Sequence, residues 1–558
     1  HTSNKANEDK YSAKNIRKFA FKNIDLFIMS VEKEEFETLE RETRVAKAAL
    51  ITTTTLLIAR ILGFIREIVI AKLFGATRLV DIYVAAFTIP DILFFLLSGG
   101  ALSSAFVPVY TQYLMLKNRE EARKMLSSLI SLLTLSLLFV VSLAEIFAYP
   151  LVKIVVPHFP PRDLDYCVFL TRLMLPSVIF FVLGGIFTGV AYCYNKFLIP
   201  AISGVIYNLL IILGGIFLGP SIKVTGLSIG VLLGSFIGNF LIQIWYILRL
   251  GEKPFFILDY NHPGVRRVFL IMLPIIFTLS VSQVTVVINR VLASGLGEGA
   301  IAGLNYANRL MQFPLGIFGQ SLGIAVFPTL SALATRGKLE ELKRFNSLAI
   351  RTLFFLNIPS ALFFILFGIP IVQFVYERGA FKHSDTIMTA QILAFYALSL
   401  PPLSANQIIN RTFYSLQDSI TPLFSGVASV ILCAILNVIF VAPFGVRGLA
   451  LASSISAYFN MFLLLYFLRG RIGGVEGRKI ASSFIKLTLI CLLVSFPFSF
   501  FLSHHPLGKG MKGAITEIGL ILVVIAPLYL LFSSIFRCEE WEFIKRSLLR
   551  SRLKKREG

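Results

Sequence analysis

Apolar residues occur along this chain in long runs that alternate with short polar segments. Each run approaches or exceeds the roughly 20 residues that a helix needs to cross a bilayer. The pattern predicts an all-α polytopic membrane protein with fourteen transmembrane helices. We number them spans 1 to 14, over residues 46–71, 80–113, 124–148, 164–192, 199–219, 226–249, 265–290, 300–333, 345–376, 385–415, 420–442, 446–468, 480–503 and 513–536.

Lysine and arginine are unevenly distributed between the two sides of the predicted bundle. An even number of spans places both termini on one side, where the connecting segments hold 17 of these residues against 11 on the opposite, or far, side. Residues 537–556 add eight more. Because cytoplasmic segments are enriched in Lys and Arg, both termini are predicted to be cytoplasmic.

An internal repeat relates the two halves of the chain. Pro108–Lys124 aligns with Pro328–Arg344 without a gap at an offset of 220, and 192–227 aligns with 414–449 at an offset of 222. Equivalent positions are six spans apart, and an even number of spans preserves orientation. We therefore predict two pseudo-symmetric six-helix lobes and two C-terminal helices. The predicted units are a basic N-terminal extension (1–45), an N-lobe (46–250), a C-lobe (251–470), spans 13 and 14 (471–540) and a basic C-terminal tail (541–558).

Composition agrees with a membrane protein, since 56% of the residues are hydrophobic and only 15% are charged. The net charge of +22 raises the question of a nucleic-acid partner. The cations, however, lie mostly in the short segments between spans and in the two tails, which indicates membrane topology and anionic lipid rather than nucleic acid. The five cysteines have neither metal-ligand spacing nor the pattern of a disulfide framework.

Charged side chains inside two spans are the strongest candidates for function. Span 1 contains Arg60, Arg66 and Glu67, and span 8 contains Arg309. An arginine at the centre of a bilayer costs about 2.5–3.5 kcal/mol, so these groups should face protein or water. Three amides lie near Arg309 on adjoining parts of its helix face: Asn305, Asn308 and Gln312.

Deep cations outnumber deep acids, and this predicts an anionic ligand. Guanidinium groups match phosphate oxygens in a bidentate geometry. Glu67 and Asp81 would offset part of the positive charge of an empty cavity. Arg290 and Arg411 lie near span ends, where snorkelling to the membrane surface is expected. No nucleophile with an identifiable base, P-loop or dinucleotide fingerprint is present, so the chain is not expected to be an enzyme.

Two blocks carry a resemblance to a known family. Residues 59–67 read ARILGFIRE and residues 306–314 read YANRLMQFP, and GALSSAFVP follows the first block at 100–108. These segments resemble the MurJ (MviN) lipid II flippase family, and the resemblance covers about residues 46–540. It implies the multidrug/oligosaccharidyl-lipid/polysaccharide exporter fold, with a central cavity alternately open to either side. The last two helices would form a groove for the polyprenyl tail.

The resemblance implies a function as well as a fold. The expected activity is movement of undecaprenyl-pyrophosphate-linked disaccharide-pentapeptide, lipid II, from the cytoplasmic to the outer leaflet of the bacterial inner membrane. The expected partners are lipid II and membrane lipids, with no nucleic acid, and the chain is expected to be monomeric. No cofactor is expected, and a monovalent cation or the membrane potential would supply the coupling.

Matching positions imply individual roles. By resemblance, Arg60, Arg66 and Arg309 hold the pyrophosphate, and Glu67 and Asp81 organise these arginines. Three positions depart from the family pattern. Phe94 replaces an arginine, Gln312 replaces a frequent acid, and span 7 lacks the carboxylate that contributes to a sodium site in some members.

Three alternatives remain open at this level. A flippase for another polyprenyl-linked glycan, such as an O-antigen or capsule unit, would share the fold and differ only in headgroup contacts. A drug or cation antiporter is disfavoured because its cavity should centre on acids. A polyprenyl-pyrophosphate enzyme would require catalytic carboxylates, a metal site or a substantial soluble domain.

Overall fold

The computed structural model describes residues 54–55, 57–97, 101–116, 118–504 and 510–546. The predicted N-terminal extension and the tail beyond residue 546 lie outside this range, as do the chain termini. Throughout the described residues the chain is helical and contains no strand. The fold class predicted from the sequence is thereby confirmed.

Each of the fourteen predicted spans corresponds to one or more helices. Span 1 is helical over 57–74. The α-helices of the other spans are Arg78–Ala86, Thr88–Leu97 and Ala101–Met115 (span 2); Arg119–Ile146 and Ala148–Val155 (3); Pro161–Met174 and Ser177–Cys193 (4); Leu198–Leu213 and Gly219–Ile222 (5); Thr225–Gly234 and Ile242–Arg249 (6); Pro263–Ala293 (7); Ala300–Pro314 and Ser321–Thr335 (8); Leu339–Leu366 and Gly368–Tyr376 (9); His383–Ala397 and Leu400–Ser415 (10); Ile420–Phe444 (11); Val446–Ile472 (12); Gly477–His504 (13); and Gly510–Ile535 (14).

Three π-helical stretches lie within these spans, at Gly214–Leu218, Ser235–Leu241 and Leu315–Gln320. By length and composition, twelve of the described helices can cross a membrane. A thirteenth crossing is obtained when the two halves of span 10, bent by 41°, are taken together. The helix over 57–74 carries four charged side chains and is not among these. The chain is a multi-pass membrane protein.

Helix boundaries repeat at the offset found in the sequence. Arg119–Ile146 and Leu339–Leu366 are both 28 residues long and begin 220 residues apart. Each is followed by a short helix that continues the span, Ala148–Val155 in one half and Gly368–Tyr376 in the other. Equivalent segments of the repeat therefore adopt equivalent helices. The division into lobes remains a prediction.

Among the described residues, the apolar core consists of three clusters. One lies within the first half of the chain and includes Leu102, Leu129 and Ile186. It also contains Val268 and Met272 from the beginning of span 7, which the predicted boundary assigned to the C-lobe. A second lies in the second half of the chain. The third joins both halves, so the halves share a continuous hydrophobic core.

On the far side, the two halves meet through backbone groups at three glycines, Gly75, Gly299 and Gly379, which we call the glycine seam. All three have positive φ angles, of 67°, 80° and 60°. A Cβ atom on any of them would collide with a backbone oxygen of the other half; at Gly75 that oxygen, of Ala380, would be 2.6 Å away. The Ala380 N–H also donates to the Lys72 carbonyl at 2.9 Å. The halves are thus in direct backbone contact on this side.

On the opposite side, Arg351 of span 9 connects spans 13 and 14 to the rest of the bundle. Its guanidinium lies 2.8 Å from Glu539 and 3.2 Å from the buried carboxylate of Glu540. Ser483 of span 13 donates to Glu540 at 2.9 Å. The hydrogen bond from Arg351 holds the pKa of Glu539 below its ordinary value. Spans 9, 13 and 14 are therefore fixed to each other at this end.

Glycine also sets helix spacing inside the bundle. Gly184 of span 4 faces the backbone of span 6, and a Cβ there would overlap the carbonyl oxygen of Asn239. Because backbone cannot rotate away as a side chain does, Gly184→Ala should cost about 1–3 kcal/mol. We expect a lower melting temperature for this variant in detergent.

Gly426→Ala provides the matched control. Gly426 lies in the helix of span 11 with open space where its Cβ would be. Alanine there should be neutral or stabilising by up to about 1 kcal/mol, because glycine is the poorer helix former. Equal melting temperatures for the two variants would contradict the proposed tight packing of spans 4 and 6.

Candidate functional site

One carboxylate joins span 1 to span 8. Arg66 Nη2 lies 2.7 Å from Glu67 Oε1, and Arg309 Nε lies 3.8 Å from the same oxygen. Glu67 is 4% exposed, whereas the side chain of Arg309 is 46% exposed. Glu67 therefore holds one arginine tightly and the other loosely. We call these three residues the Arg–Glu–Arg cluster.

Two amides complete the surroundings of the cluster. Asn305 of span 8 donates to Glu67 Oε2 at 3.3 Å. Arg66 Nη1 donates to Asn208 Oδ1 of span 5 at 3.2 Å, and Asn208 in turn donates to the Gly204 carbonyl at 2.8 Å. Asn208 lies beside Gly63, where a Cβ would be in ordinary van der Waals contact with Asn208 Oδ1 at 3.7 Å. Spans 1 and 5 are therefore adjacent beside Arg66.

Asp81 lies outside the cluster. Its carboxylate is fully buried and accepts hydrogen bonds from the Gly299 N–H at 2.7 Å and the Ala302 N–H at 2.8 Å. Arg78, in the same helix, is 3.8 Å away. Asp81 thus caps the N-terminus of the first helix of span 8, where backbone N–H groups lack partners within the helix. It makes no direct contact with Arg60, Arg66 or Arg309, so its predicted role as an organiser of these arginines is not supported by its contacts.

Arg60 is also separate from the cluster. It lies six residues, or about 9 Å along the helix, before Arg66. Its Nη2 atom donates to Gln320 Oε1 of span 8 at 3.0 Å, and its side chain is exposed. Spans 1 and 8 are therefore linked a second time, nearer the side of the predicted termini.

The other two predicted amides have few interactions. Asn308 is half-buried and Gln312 is exposed. Neither side chain forms a hydrogen bond with the part of the protein that the structure describes, and neither residue lines the cavities beside the cluster. Of the three amides grouped with Arg309 by helix spacing, only Asn305 reaches the charged groups.

Two adjoining cavities border the cluster. The smaller, of about 110 Å³, contains Arg66, Glu67, Asn305 and Arg309 in its wall. The larger, of about 440 Å³, is lined by residues of spans 1, 2, 4, 5, 6 and 8, including Phe94 at the position of a family arginine. Five residues line both cavities: Arg66, Phe87, Asp91, Tyr207 and Arg309. The cluster therefore faces a polar space between the two halves of the chain.

Sequence reasoning missed two charged residues of this site. Asp91 lines both cavities, and Arg290 lines the smaller one. The expectation that Arg290 snorkels to the membrane surface is wrong, because its side chain turns toward the cavity that Arg309 also lines. A signal for both residues was present in the sequence: an ionisable residue inside a transmembrane span is by default a candidate for function. Among the described residues, no group of three or more His, Cys, Asp or Glu side chains is placed to hold a metal ion.

Glu67→Gln tests whether the shared carboxylate stabilises the site. The variant leaves Arg66 and Arg309 without their common acid, and breaking a buried ion pair costs about 3–5 kcal/mol. We expect a clearly lower melting temperature in detergent, partly restored by inorganic pyrophosphate, which would supply the missing negative charge.

Glu145→Gln is the control for this change. Glu145 lies 4.0 Å from Arg172; the Arg172 side chain is exposed and that of Glu145 is half-buried. Exposed pairs contribute about 0–1 kcal/mol, so this variant should melt close to the wild type. If Glu67→Gln were as stable as Glu145→Gln, the shared carboxylate would not be a structural centre of the site.

Comparison with solved structures identifies the class of fold. A structure described as the inward-facing conformation of a multidrug resistance MATE family transporter of the MOP superfamily superposes with a TM-score of 0.63, covering 77% of this chain and 99% of that chain. Sequence identity is 14%, so this likeness concerns the fold alone. The chain shares the helical-bundle fold of that structure.

Closer relatives identify the family. The family "Lipid II flippase MurJ" matches residues 70–519. The lipid II flippase MurJ of Burkholderia cenocepacia is 32% identical over 436 residues, which are 76% of this chain and 84% of that protein. A probable lipid II flippase MurJ of Vibrio cholerae is 29% identical over 432 residues, covering 75% and 82%. A structure of lipid II flippase MurJ in an inward closed conformation matches with a TM-score of 0.74 and 28% identity, covering 87% of this chain and 98% of that one. The chain belongs to the MurJ family of lipid II flippases.

Proposed function

We propose that this protein moves lipid II from the cytoplasmic to the outer leaflet of the bacterial inner membrane, for cell-wall synthesis. The observation that carries the proposal is the Arg–Glu–Arg cluster, which brings arginines from both halves of the chain to one cavity. A pyrophosphate diester is the charged part of such a lipid, and guanidinium groups bind its oxygens in bidentate geometry.

Arg66 and Arg309 take different parts in this clamp. Arg66 is held by Glu67 and Asn208 and provides a fixed donor. Arg309 is half-exposed and 3.8 Å from Glu67, so its guanidinium can turn to a bound phosphate at little cost. Arg60, nearer the predicted cytoplasmic side, provides a positive charge on the way to the clamp.

The larger cavity is suited to the sugar part of the headgroup. Besides its two arginines and Asp91, its wall contains three polar groups from two further spans, namely Ser177 and Thr188 of span 4 and Asn239 of span 6. Hydroxyl and amide groups are the ordinary hydrogen-bonding partners of sugar hydroxyls. The headgroup would therefore lie beside the clamp, between spans 2, 4 and 6.

The polyprenyl tail is assigned to spans 13 and 14. A groove of about 200 Å³ between these spans and span 9 is almost entirely apolar, and its lining includes Phe363, Val494, Leu522 and Ile525. An isoprenoid chain gains free energy from such a surface without needing a polar partner. This supports the predicted lipid-tail groove at 471–540.

Alternating access supplies the transport step. Here the halves are in contact along the glycine seam on the far side. Release to the outer leaflet requires a second state in which that seam is open, and lipid II must bind the two states with different affinity for net movement. With cytoplasmic termini, the membrane potential would contribute about 2.3 kcal/mol per charge per 100 mV. The protein would act as a monomer and without a cofactor.

Arginine substitutions test the clamp. Arg66→Ala and Arg309→Ala should each abolish exposure of lipid II on the outer leaflet, because one half of the clamp is lost. Arg60→Ala should reduce it less, since Arg60 lies outside the cavity wall. The measurement is leaflet-resolved lipid II accessibility in cells depleted of their own flippase and complemented with this chain.

Arg447→Ala is the matched control, because Arg447 is an exposed arginine at the start of span 12. It should support wild-type transport. If the Arg66 and Arg309 variants insert normally and also transport at the wild-type rate, the clamp is refuted. If the wild type itself fails to expose lipid II, the substrate assignment fails.

Leu522→Trp tests the tail groove by filling it. Leu522 lines the groove and is 57% exposed. The variant should weaken binding of undecaprenyl pyrophosphate while leaving that of farnesyl pyrophosphate, whose chain is too short to need the whole groove, nearly unchanged.

Leu531→Trp is the control on the same helix. Leu531 is 53% exposed and lies nine residues later, which places it on the opposite face. This variant should bind both pyrophosphates as the wild type does. If both tryptophan variants weakened binding of undecaprenyl pyrophosphate equally, the polyprenyl tail would not bind in this groove.

A further inference from the structure

Asp91 is a charged residue of the site for which the clamp provides no role. It lies in span 2 and lines both the 110 Å³ and the 440 Å³ cavity. Its side chain is exposed to this space, and no donor from the described residues forms a hydrogen bond or ion pair with it. Glu67, the other acid of the cavities, is by contrast occupied by Arg66, Arg309 and Asn305.

The charges around the smaller cavity do not balance those of the ligand. Its wall contains three arginines, Arg66, Arg290 and Arg309, and two carboxylates, Glu67 and Asp91. This leaves one excess positive charge. A pyrophosphate diester carries one negative charge on each phosphate. The occupied cavity would therefore contain one uncompensated negative charge, which attracts a cation.

Asp91 is the group at which a cation can bind and balance this excess negative charge. Once pyrophosphate draws Arg66 and Arg309 toward itself, Arg290 is the one cation of the cavity wall left to Asp91, and no ion pair joins the two among the described residues. The other ionisable groups that face the cavities are Arg66 and Glu67 on span 1, Tyr83 on span 2, Tyr207 on span 5, Arg290 on span 7 and Arg309 on span 8. Each of these is a cation, a phenol or the acid already shared by two arginines.

We propose that Asp91 forms a cation subsite that takes up one monovalent positive charge together with each pyrophosphate. This rests on the proposed function, because the missing charge follows from the ligand. The charge is supplied either by an alkali ion from solution or by an ammonium group of the translocated headgroup. Both sources present the same chemistry to the carboxylate, and two arms of one experiment distinguish them.

The first arm uses undecaprenyl pyrophosphate, which has no headgroup. Its affinity for the full-length protein in nanodiscs of uncharged lipid is measured in sodium, potassium and choline chloride at equal ionic strength and pH. If the cation comes from solution, wild type should bind about tenfold more tightly in one of the alkali salts than in choline, a difference of roughly 1.4 kcal/mol. Asp91→Asn should bind equally in all three salts.

The second arm compares lipid II having a free amine on its peptide with lipid II acetylated at that amine. If the headgroup supplies the charge, wild type should prefer the free amine about tenfold, and Asp91→Asn should lose this preference. A merely structural role of Asp91 would weaken both ligands equally and would leave the preference intact.

Glu517→Gln is the matched acid-to-amide control. Glu517 lies in span 14 and lines a different cavity, beside the break in span 9. This variant should retain the salt dependence or the amine preference that the wild type shows. Both variants are checked for a wild-type elution profile and melting behaviour before binding is measured.

The proposal is overturned if wild type binds undecaprenyl pyrophosphate and lipid II with neither salt dependence nor amine preference. It is also overturned if Asp91→Asn retains the dependence, or if affinity changes with pH alone and equally in every salt, which would indicate a proton. Failure of the wild type to bind any polyprenyl pyrophosphate would instead refute the proposed function.

Discussion

The shared carboxylate of Glu67 is the interaction on which the site depends. Arg66 and Arg309 belong to different halves of the chain, and each would be strongly disfavoured in a membrane interior without an acid nearby. Because one carboxylate serves both, the two cations are kept close together despite their repulsion. The site therefore exists only while spans 1 and 8 are adjacent, and the geometry of the ligand site is coupled to the arrangement of the two halves.

Hydropathy was enough to predict the fold class and the order of the spans, because long apolar runs have few alternatives to membrane helices. It did not predict where the helices break. Span 2 is interrupted at Phe87 and span 9 at Phe367, both apolar positions within apolar runs. A hydropathy profile measures the preference of each segment for lipid or for the protein interior. It carries no information on where the helix axis changes direction. For the same reason, hydropathy alone does not reveal the π-helical stretch Leu315–Gln320 of span 8.

The site was predicted only in part. Arg66, Glu67, Asn305 and Arg309 come together in the structure, as their positions inside spans 1 and 8 indicated. Helix spacing gives the angle of a side chain around its own axis but does not identify the neighbouring helix. That is why Asp81 was grouped with the arginines although it caps the backbone of span 8. Arg290 was expected to snorkel because it lies near a span end, and sequence does not show which way its side chain turns. Asp91 was not assigned to the site because sequence does not identify the helices beside span 2.

The glycine seam has a consequence for the energetics of opening. The Gly299 N–H donates to the Asp81 carboxylate, and the other backbone contacts of the seam are between peptide groups, such as the Ala380 N–H and the Lys72 carbonyl at 2.9 Å. When such groups separate at a surface they exchange a peptide partner for water, so each hydrogen bond contributes only about 0.5–1.5 kcal/mol to holding the halves together. A seal made in this way excludes water through close fit and yet opens at modest cost. The closed and open states can then lie near enough in free energy for the arrival or departure of one charged ligand to change which of them predominates.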